Sequence, residues 1–452
     1  FLREILDNPR VHYQPVGFLD DDPRKKGKAI HGIPVLGAVG DIGDLPAAYD
    51  EILIAIPSAR GDVMRRVVEA CERTGKRYRT LPKIGELIEG RITVNTVREV
   101  SMEDLIGWEK VRLDEDRISA FLQGKRILVT GAGGSIGSEL VRQICRYRPE
   151  SLVPVDFSEF NLYRIEMDCR RRRVKTPLEA CLADIRDRDL MMRVFARHKP
   201  NIVFHAAAYK HVPMQELHPG EAVKTNVLGT RNLVEAALQS GVAHFVFVST
   251  DKAVRPANVM GASKRVAEMI VQGADKEGAT RFMAVRFGNV IGSSGSVIPL
   301  FQQQIAQGGP VTVTHPDITR YFMSIPEAAQ LILQAGAMGE GGEIFILDMG
   351  EPVRIADMAR DLIRLNGLEP DRDIALEFIG LRPGEKLYEE LITVGEGIVP
   401  TGHSKVLVLR GTTVGREALN ARVDSLGEIA RGPDTGRLKV ALKELIPEYE
   451  PS

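Results

Sequence analysis

Ser249-Thr250-Asp251-Lys252 places hydroxyls, a carboxyl and an amine on consecutive residues. That is an acid/base set: an aspartic acid can deliver a proton and a neutral lysine can accept one. Eight residues further on, Met260-Gly261-Ala262-Ser263-Lys264 sets Met260 and Lys264 one helical turn apart, on a shared face. Methionine cannot take a proton, so proton transfer here falls to its neighbours. A methionine at helical spacing is ordinarily core, and a single lysine ordinarily lies on the surface. The two segments together argue for chemistry.

A second constellation points to a dinucleotide. Thr130-Gly131-Ala132-Gly133-Gly134-Ser135-Ile136-Gly137 follows an apolar run and opens a helical segment, with glycines at 131, 134 and 137. Such glycines allow a tight turn, close backbone approach to a pyrophosphate, and close helix–strand packing. The helix N-terminus then faces the anion. Asp156 ends the next apolar run, 19 residues after Gly137. There an acidic side chain accepts from ribose hydroxyls and repels a 2′-phosphate, favouring NAD over NADP. The plainer alternative for Asp156 is a turn or cap before Ser158. Asp184-Ile185 closes a third run, where the aspartate can reach adenine. Ala206-Ala207-Ala208 closes a fourth, where small side chains let backbone lie against a cofactor. Asn226 completes the candidate cofactor set.

These residues need a scaffold that brings strand ends together. Strands are expected near 126–130, 152–156, 181–184, 202–207, 244–249 and 282–287, with helices between them. That alternation predicts an α/β, doubly wound parallel sheet over about 124–292, within a catalytic domain spanning 124–452. Asp251 and Lys252 then emerge at the carboxyl end of the fifth strand, where ligands bind in such sheets. A looser pattern over 293–400 suits a substrate lobe. Residues 96–123 read as an amphipathic connector. Residues 1–95 read as a smaller α/β unit, with a helix end at Leu2–Asn8, strands at Tyr13–Leu19, Ile33–Gly37 and Glu51–Ile56, and a helix at Gly61–Thr74. Its opening strand and glycine loop would fall before Phe1, so a missing front edge is expected. The chain begins at Phe1 rather than Met, which points the same way.

Composition narrows the class. At 452 residues two domains are expected, and 44% hydrophobic with 27% charged residues is ordinary for a globular protein. A net charge of -1 gives no reason to expect nucleic acid or an anionic membrane as partner. Arg170 to Arg173 reads as a solvated helix end. Cys71, Cys145, Cys169 and Cys181 lack metal-ligand spacing, so no metal is expected and they read as reduced, buried thiols. No signal peptide or membrane-spanning apolar run is present.

Taken together, Thr130 to Gly137, His205 to His211, Ser249 to Lys264, Arg286 to Gly292 and Arg382-Pro383-Gly384-Glu385-Lys386 resemble the UDP-N-acetylglucosamine 4,6-dehydratases of polysaccharide and glycan biosynthesis. These are extended short-chain dehydrogenases, and the resemblance covers about 124–395. Met260 and Lys264 then occupy the slot of that superfamily's Tyr-x-x-x-Lys pair, with methionine in place of tyrosine. The resemblance implies NAD as cofactor and internal hydride transfer from sugar C4 to NAD to C6. It implies that Asp251 protonates the departing C6 hydroxyl, that Lys252 takes the C5 proton, and that Lys264 reaches the nicotinamide ribose. Thr250, a water relayed through Lys264, or Asp251 itself is left to receive the C4 hydroxyl proton. Retention at C5 is implied by the methionine. For UDP-sugar binding it implies Arg382 and Glu385, with Arg320, Asn289, Lys210 and His211 as further candidates; a polar loop after a strand is the plainer reading of the last two.

The front unit, with Gly17-Phe18-Leu19-Asp20-Asp21-Asp22-Pro23, resembles the cytoplasmic domain of long, membrane-anchored members. That implies a full-length parent on the cytoplasmic face of the inner membrane, held only by preceding helices, with this chain a soluble piece. A homodimer or higher homo-oligomer is likewise implied. Two rival readings stand beside the dehydratase: a UDP-sugar 4-epimerase, which needs no C5/C6 acid/base pair and normally keeps the tyrosine, and a non-catalytic NAD-binding module.

Overall fold

Ile127, Leu128 and Val129 are all fully buried in sequence, and so are Phe245, Val246 and Phe247. Unbroken apolar runs of this kind form strands covered on both faces, the signature of a parallel sheet under helices. The computed structural model describes residues 2–7, 13–45, 48–56, 59, 61–81, 97–106, 111–275, 279–392, 397–409 and 415–451. The chain divides into two compact units, one of 1–111 with 361–369, the other of 112–360 with 370–451.

The larger unit is built on one nine-stranded sheet. Its strands are β1 (Arg126–Thr130), β2 (Ser151–Asp156), β3 (Cys181–Leu182), β4 (Ile202–His205), β5 (His244–Val248), β6 (Arg281–Arg286), β7 (Ile344–Leu347), β8 (Ile398–Pro400) and β9 (Val406–Leu409). The spatial order is β8-β9-β7-β6-β5-β4-β1-β2-β3. From β3 to β7 all pairings are parallel, and the order reverses between β1 and β4, a topological switch point. The doubly wound expectation therefore holds, with two differences. β9 pairs antiparallel with β7, and β8 antiparallel with β9, so the sheet closes on an antiparallel edge. The last three strands also come from beyond residue 292, in and after the segment read as substrate lobe. Strands expected to reach residues 184 and 207 stop at Leu182 and His205, because the chain leaves the sheet there to line the crevice.

The crossover helices that matter are α1 (Ser135–Ile144), α2 (Glu159–Arg171), α3 (Arg188–His198), α4 (Thr230–Ser240) and α5 (Val259–Ala274). Just before α4, residues Val223–Gly229 wind as a π-helix, a form that recurs at functional sites. α5 is buried nearly all round. One side packs on the sheet; the other is covered by α7 (Arg416–Arg431) and α8 (Thr435–Leu445), while α6 (Ile325–Met338) packs against α1 across the sheet. The lobe is held by three short strand pairs: Asn289–Val290 with Phe322–Met323, Val311–Val313 with Leu376–Phe378, and Thr319–Arg320 with Val353–Arg354.

The smaller unit is less regular than its alternation suggested. Phe18–Leu19 pairs parallel with Ile33–Gly37, which pairs antiparallel with Ala29–Ile30. Glu51–Ile54 pairs parallel with Arg77–Thr80, joined by the helix Gly61–Glu72. The strand expected from Tyr13 shrinks to Phe18–Leu19, since Pro15 has no N–H to give a ladder. Asn8 and residues 82–96 lie outside the described residues. The expected connector contributes Met102–Ile106 to this unit and Glu115–Leu122 to the larger one. Among the described residues no helix is long and apolar enough to cross a membrane, and no cluster suits a metal ion. Cys71 and Cys169 are buried thiols; Cys145 and Cys181 are half-buried.

Candidate active site

The switch point between β1 and β4 opens into a cavity of about 150 Å³, lined by the glycine turn, Asp156, Asp184 and Ala206–Ala208. Gly131 has φ +63, a conformation that favours glycine, and a Cβ there would lie 2.7 Å from the Ala207 backbone. Gly137 cannot carry a side chain either, because its Cβ would run into the Gly131 carbonyl. Gly134 caps α1, and Ser135 and Ile136 begin it. Ser135 also accepts a hydrogen bond from the Ser294 N–H at 3.2 Å, which ties the turn to the lobe.

Asp156 does two jobs. Its Oδ2 accepts from the Gly133 N–H at 2.8 Å and its Oδ1 from the Ser158 N–H at 2.9 Å. The turn-forming alternative is thus real, yet each carboxylate oxygen keeps capacity for a ribose hydroxyl. Burial pushes the Asp184 carboxyl up, but bonds from Arg186 outweigh it and hold the group below the usual range. Ile185 is buried and crowds Gly229, where a Cβ would clash with it. Thr130 points inward, its Oγ1 2.8 Å from His205 Nδ1, while His205 Nε2 lies 2.9 Å from Thr230 Oγ1. Complete burial keeps that imidazole neutral, its pKa well below the ordinary value. Thr130 and His205 therefore brace the crevice floor rather than line it. The small residues, the free turn and the acidic strand end fit a dinucleotide.

Asn226 sits in the π-helix and was missed as anything more than a cofactor contact. Its Nδ2 donates to Tyr209 O at 3.0 Å and to Ser263 Oγ at 2.9 Å, and its Oδ1 accepts from the Tyr209 N–H at 2.9 Å. One side chain thus links the loop after β4 to α5. Ser263 Oγ in turn donates to the Met260 carbonyl at 2.7 Å.

The acid/base residues converge beside that crevice. Thr250 Oγ1 donates to Asp251 Oδ1 at 2.8 Å. Lys252 Nζ donates to the same oxygen at 3.0 Å and to Asn289 Oδ1 at 3.2 Å. Asp251 is fully buried, and its Oδ2 has no hydrogen-bond partner. An unpaired buried carboxylate oxygen is costly unless a ligand or proton meets it. Gly261 allows α5 to start against this turn, since a Cβ there would strike the Lys252 carbonyl. Met260 and Lys264 share a buried face one turn apart. Lys264 Nζ donates to Val248 O at 2.6 Å and lies 4.0 Å from the centre of the Phe247 ring. Burial pulls its pKa down to about 7, against the pull of Glu268.

Behind Lys264, Glu268 accepts from Arg286 at 2.7 and 2.8 Å and from Ser249 Oγ at 2.7 Å. Burial would raise its pKa, but the Arg286 charge and bonds lower it to about 2. This buried pair clamps α5 to β5 and β6.

The lobe residues are placed unequally. Lys210 Nζ donates to Ser293 Oγ at 3.2 Å, and burial with nearby Lys252 lowers its pKa. His211 is also held low, by burial, Lys210 and Arg382. Arg382 is half exposed, and its backbone N–H and guanidinium approach Glu385 at 3.2 to 3.4 Å. Arg320 is buried, and its guanidinium donates to the carbonyls of Thr319, Lys386 and Leu387 at 2.7 to 3.2 Å. It shapes the 382–387 loop from behind. Asn258 fastens the same loop by donating to the Gly384 carbonyl at 2.9 Å, while its Oδ1 caps α5 through the Gly261 N–H at 2.7 Å. Sequence reasoning missed Asn258 and Glu389. Glu389 is buried, with an oxygen 4.0 Å from Lys252 Nζ. No spacing rule links residues 252 and 389, so no signal could have found it.

Residues 127–410 match the family described as "Polysaccharide biosynthesis protein". The chain is 47% identical over 400 residues to the probable polysaccharide biosynthesis protein EpsC of Bacillus subtilis, covering 87% of this chain and 66% of that protein. It is 46% identical to the capsular polysaccharide biosynthesis protein CapD of Staphylococcus aureus, covering 87% and 67%. It thus spans about two thirds of the length of these relatives. A UDP-glucose 4-epimerase of Rickettsia canadensis is 37% identical over 276 residues, covering 60% of this chain and 78% of that enzyme. Among solved structures, Pen from Bacillus thuringiensis superposes with a TM-score of 0.60 at 31% identity, over 68% of this chain and 98% of that one. With its Rossmann sheet, glycine turn and acid/base cluster, the chain belongs to the polysaccharide biosynthesis protein family, on the extended short-chain dehydrogenase fold.

Proposed function

We propose that the protein catalyses NAD-dependent 4,6-dehydration of UDP-N-acetylglucosamine to the UDP-4-keto-6-deoxy sugar, with retention at C5. The observation that carries this reading is the buried Asp251–Lys252 couple at 3.0 Å, at the carboxyl end of β5 and beside the dinucleotide crevice, with a methionine in the slot where a tyrosine base would sit. Oxidation at C4 alone would not call for two further proton-transfer groups.

NAD bound along the glycine turn would accept the C4 hydride and return it to C6. Asp156 would hold a ribose of that cofactor, and Lys264, its pKa drawn down to about 7 by burial, the nicotinamide ribose. Thr250 relays the C4 hydroxyl proton to Asp251 along its 2.8 Å bond. Asp251 then passes that proton to the departing C6 hydroxyl, which leaves as water. Lys252, neutral at that moment, takes the C5 proton released by the adjacent ketone, and its ammonium, exchanging with solvent, delivers a proton to the same face of C5 when the hydride reaches C6. Protons balance: one is taken from C4 and leaves in the water, and one is taken from C5 and replaced there by a solvent-exchanged proton. Arg382 and Glu385 would hold the nucleotide, with Lys210 and His211 toward the phosphates or sugar.

The test is product identification by NMR in deuterated water. The expected product is a 4-keto-6-deoxy sugar carrying deuterium at C5, with Asp251→Asn and Lys252→Met each slowing its formation by about 10² to 10⁴-fold. Intact dehydration in both variants would sink the assigned roles. The epimerase relative favours a second reading; UDP-N-acetylgalactosamine as product, with C5 unlabelled, would establish it.

A further inference from the structure

Lys252 faces two carboxyls, and the reaction above uses only one. Asp251 Oδ1 is 3.0 Å from Nζ, and Glu389 Oε1 is 4.0 Å from it. Glu389 comes from the lobe, directly after the loop that Arg320 and Asn258 hold, and its side chain is 3% exposed. Its position is therefore built, not incidental to a mobile surface. This inference deepens the dehydratase reading and depends on it for its kinetic arm.

Elimination needs the couple in one proton arrangement. Before it, Asp251 holds the proton received from the C4 hydroxyl and Lys252 is neutral; after it, Asp251 has given that proton to the leaving water and Lys252 holds the proton taken from C5. A carboxylate at Glu389 would draw the proton onto Lys252 too early. A charge there, 4.0 Å from the amine, attracts the Lys252 ammonium more strongly than it repels the Asp251 carboxylate, and so favours the unreactive arrangement. We propose that Glu389 is a positioning residue for the proton-transfer couple: closed off from water 4.0 Å from Lys252 Nζ, it adds no second negative charge beside the amine, so the proton stays on Asp251 and Lys252 stays neutral until elimination.

The surroundings support that state. Burial pushes the Glu389 carboxyl up, and Asp251 pushes it the same way; Lys252, Arg320 and Lys386 pull against them, and the balance stays raised. Arg320 is engaged by carbonyls and lies 3.6 Å from Glu385, and Lys386 Nζ donates to the Val254 carbonyl at 3.2 Å. Neither cation is paired with Glu389 itself.

Two measurements test it. In infrared difference spectra of unliganded wild type against Glu389→Gln at neutral pH, a protonated-carboxyl C=O stretch is expected in wild type and lost in the variant. Its absence overturns the proposal whatever sugar the enzyme turns over. In steady-state kinetics, Glu389→Leu is expected to lower kcat about 10 to 100-fold with KM within about twofold, and Glu389→Gln to recover about tenfold of that loss. The alkaline limb of the Glu389→Gln pH profile should move to higher pH, because the side chain can no longer ionise. A Gln variant no better than Leu, or a profile superimposing on wild type, overturns the proposal. A wild type that shows the infrared band but forms no 4-keto product counts against the dehydratase reading alone.

Discussion

At the scale of single residues, the site depends on side chains kept out of water. Lys264 is the clearest case. Its pKa falls to about 7 in the folded chain, against 10.5 ordinarily. Below pH 7 both states are protonated, and the folded state bears the full burial penalty. Between about 7 and 10.5 the unfolded chain holds one more proton, so stability rises with pH by about 1.4 kcal/mol per unit; above that window the gain is complete. Lys264→Met should flatten this slope, measured by urea unfolding of apo protein from pH 7 to 10. A slope unchanged in the variant would assign the effect elsewhere. The residues that sequence exposed most readily, Asp251, Lys252 and the glycines, lie in short contiguous motifs. Asp156 was legible as an acid at a strand end, but its grip on the Gly133 and Ser158 amides needed coordinates. Glu389 was not legible, because its partner lies in another element and the segment carrying it has no periodicity.

At the scale of elements, α5 must begin hard against the Asp251–Lys252 turn. Replacing a helical glycine by alanine ordinarily stabilises by about 1 kcal/mol. At Gly261 the added methyl meets the Lys252 carbonyl, so overpacking of about 1–3 kcal/mol should win and push that turn aside. Gly261→Ala should therefore lower the melting temperature and reduce kcat at least about tenfold, with far-UV circular dichroism unchanged. A more stable, fully active variant would show that the contact is relieved without cost. The strands β1 to β6 were legible because each is a short apolar run between turn residues. β8 and β9 were not: Val406–Leu409 is equally apolar, but its antiparallel pairing to β7 is decided by tertiary closure of the edge. The π-helix at Val223–Gly229 was also hidden, since nothing in its composition departs from an ordinary helix.

At the scale of the whole molecule, α7 and α8 complete the core of the larger unit. Leu419, Val423, Leu426, Leu438, Leu442 and Leu445 are all buried in the cluster that contains Val266, Ile270 and Val271 of α5. At about 1.5–3 kcal/mol for each such side chain, their removal would cost on the order of 10 kcal/mol, comparable to an entire domain's stability. Deleting residues 415–451 should give a chain that fails to fold, read as insoluble expression; a soluble, cooperative truncated protein would refute this. Polar contacts secure the cover as well. Lys439 Nζ bonds Glu216 at 2.6 Å, and Glu216 accepts from the Val259 N–H at the start of α5 at 2.7 Å. The outer face of α5 is occupied by α7 and α8 of the same polypeptide. The polypeptide thus brings its own lining for the helix that carries Met260 and Lys264. Dilution has nothing to strip from that face, so turnover per molecule should hold constant down to concentrations at which a shared helical bundle would have come apart.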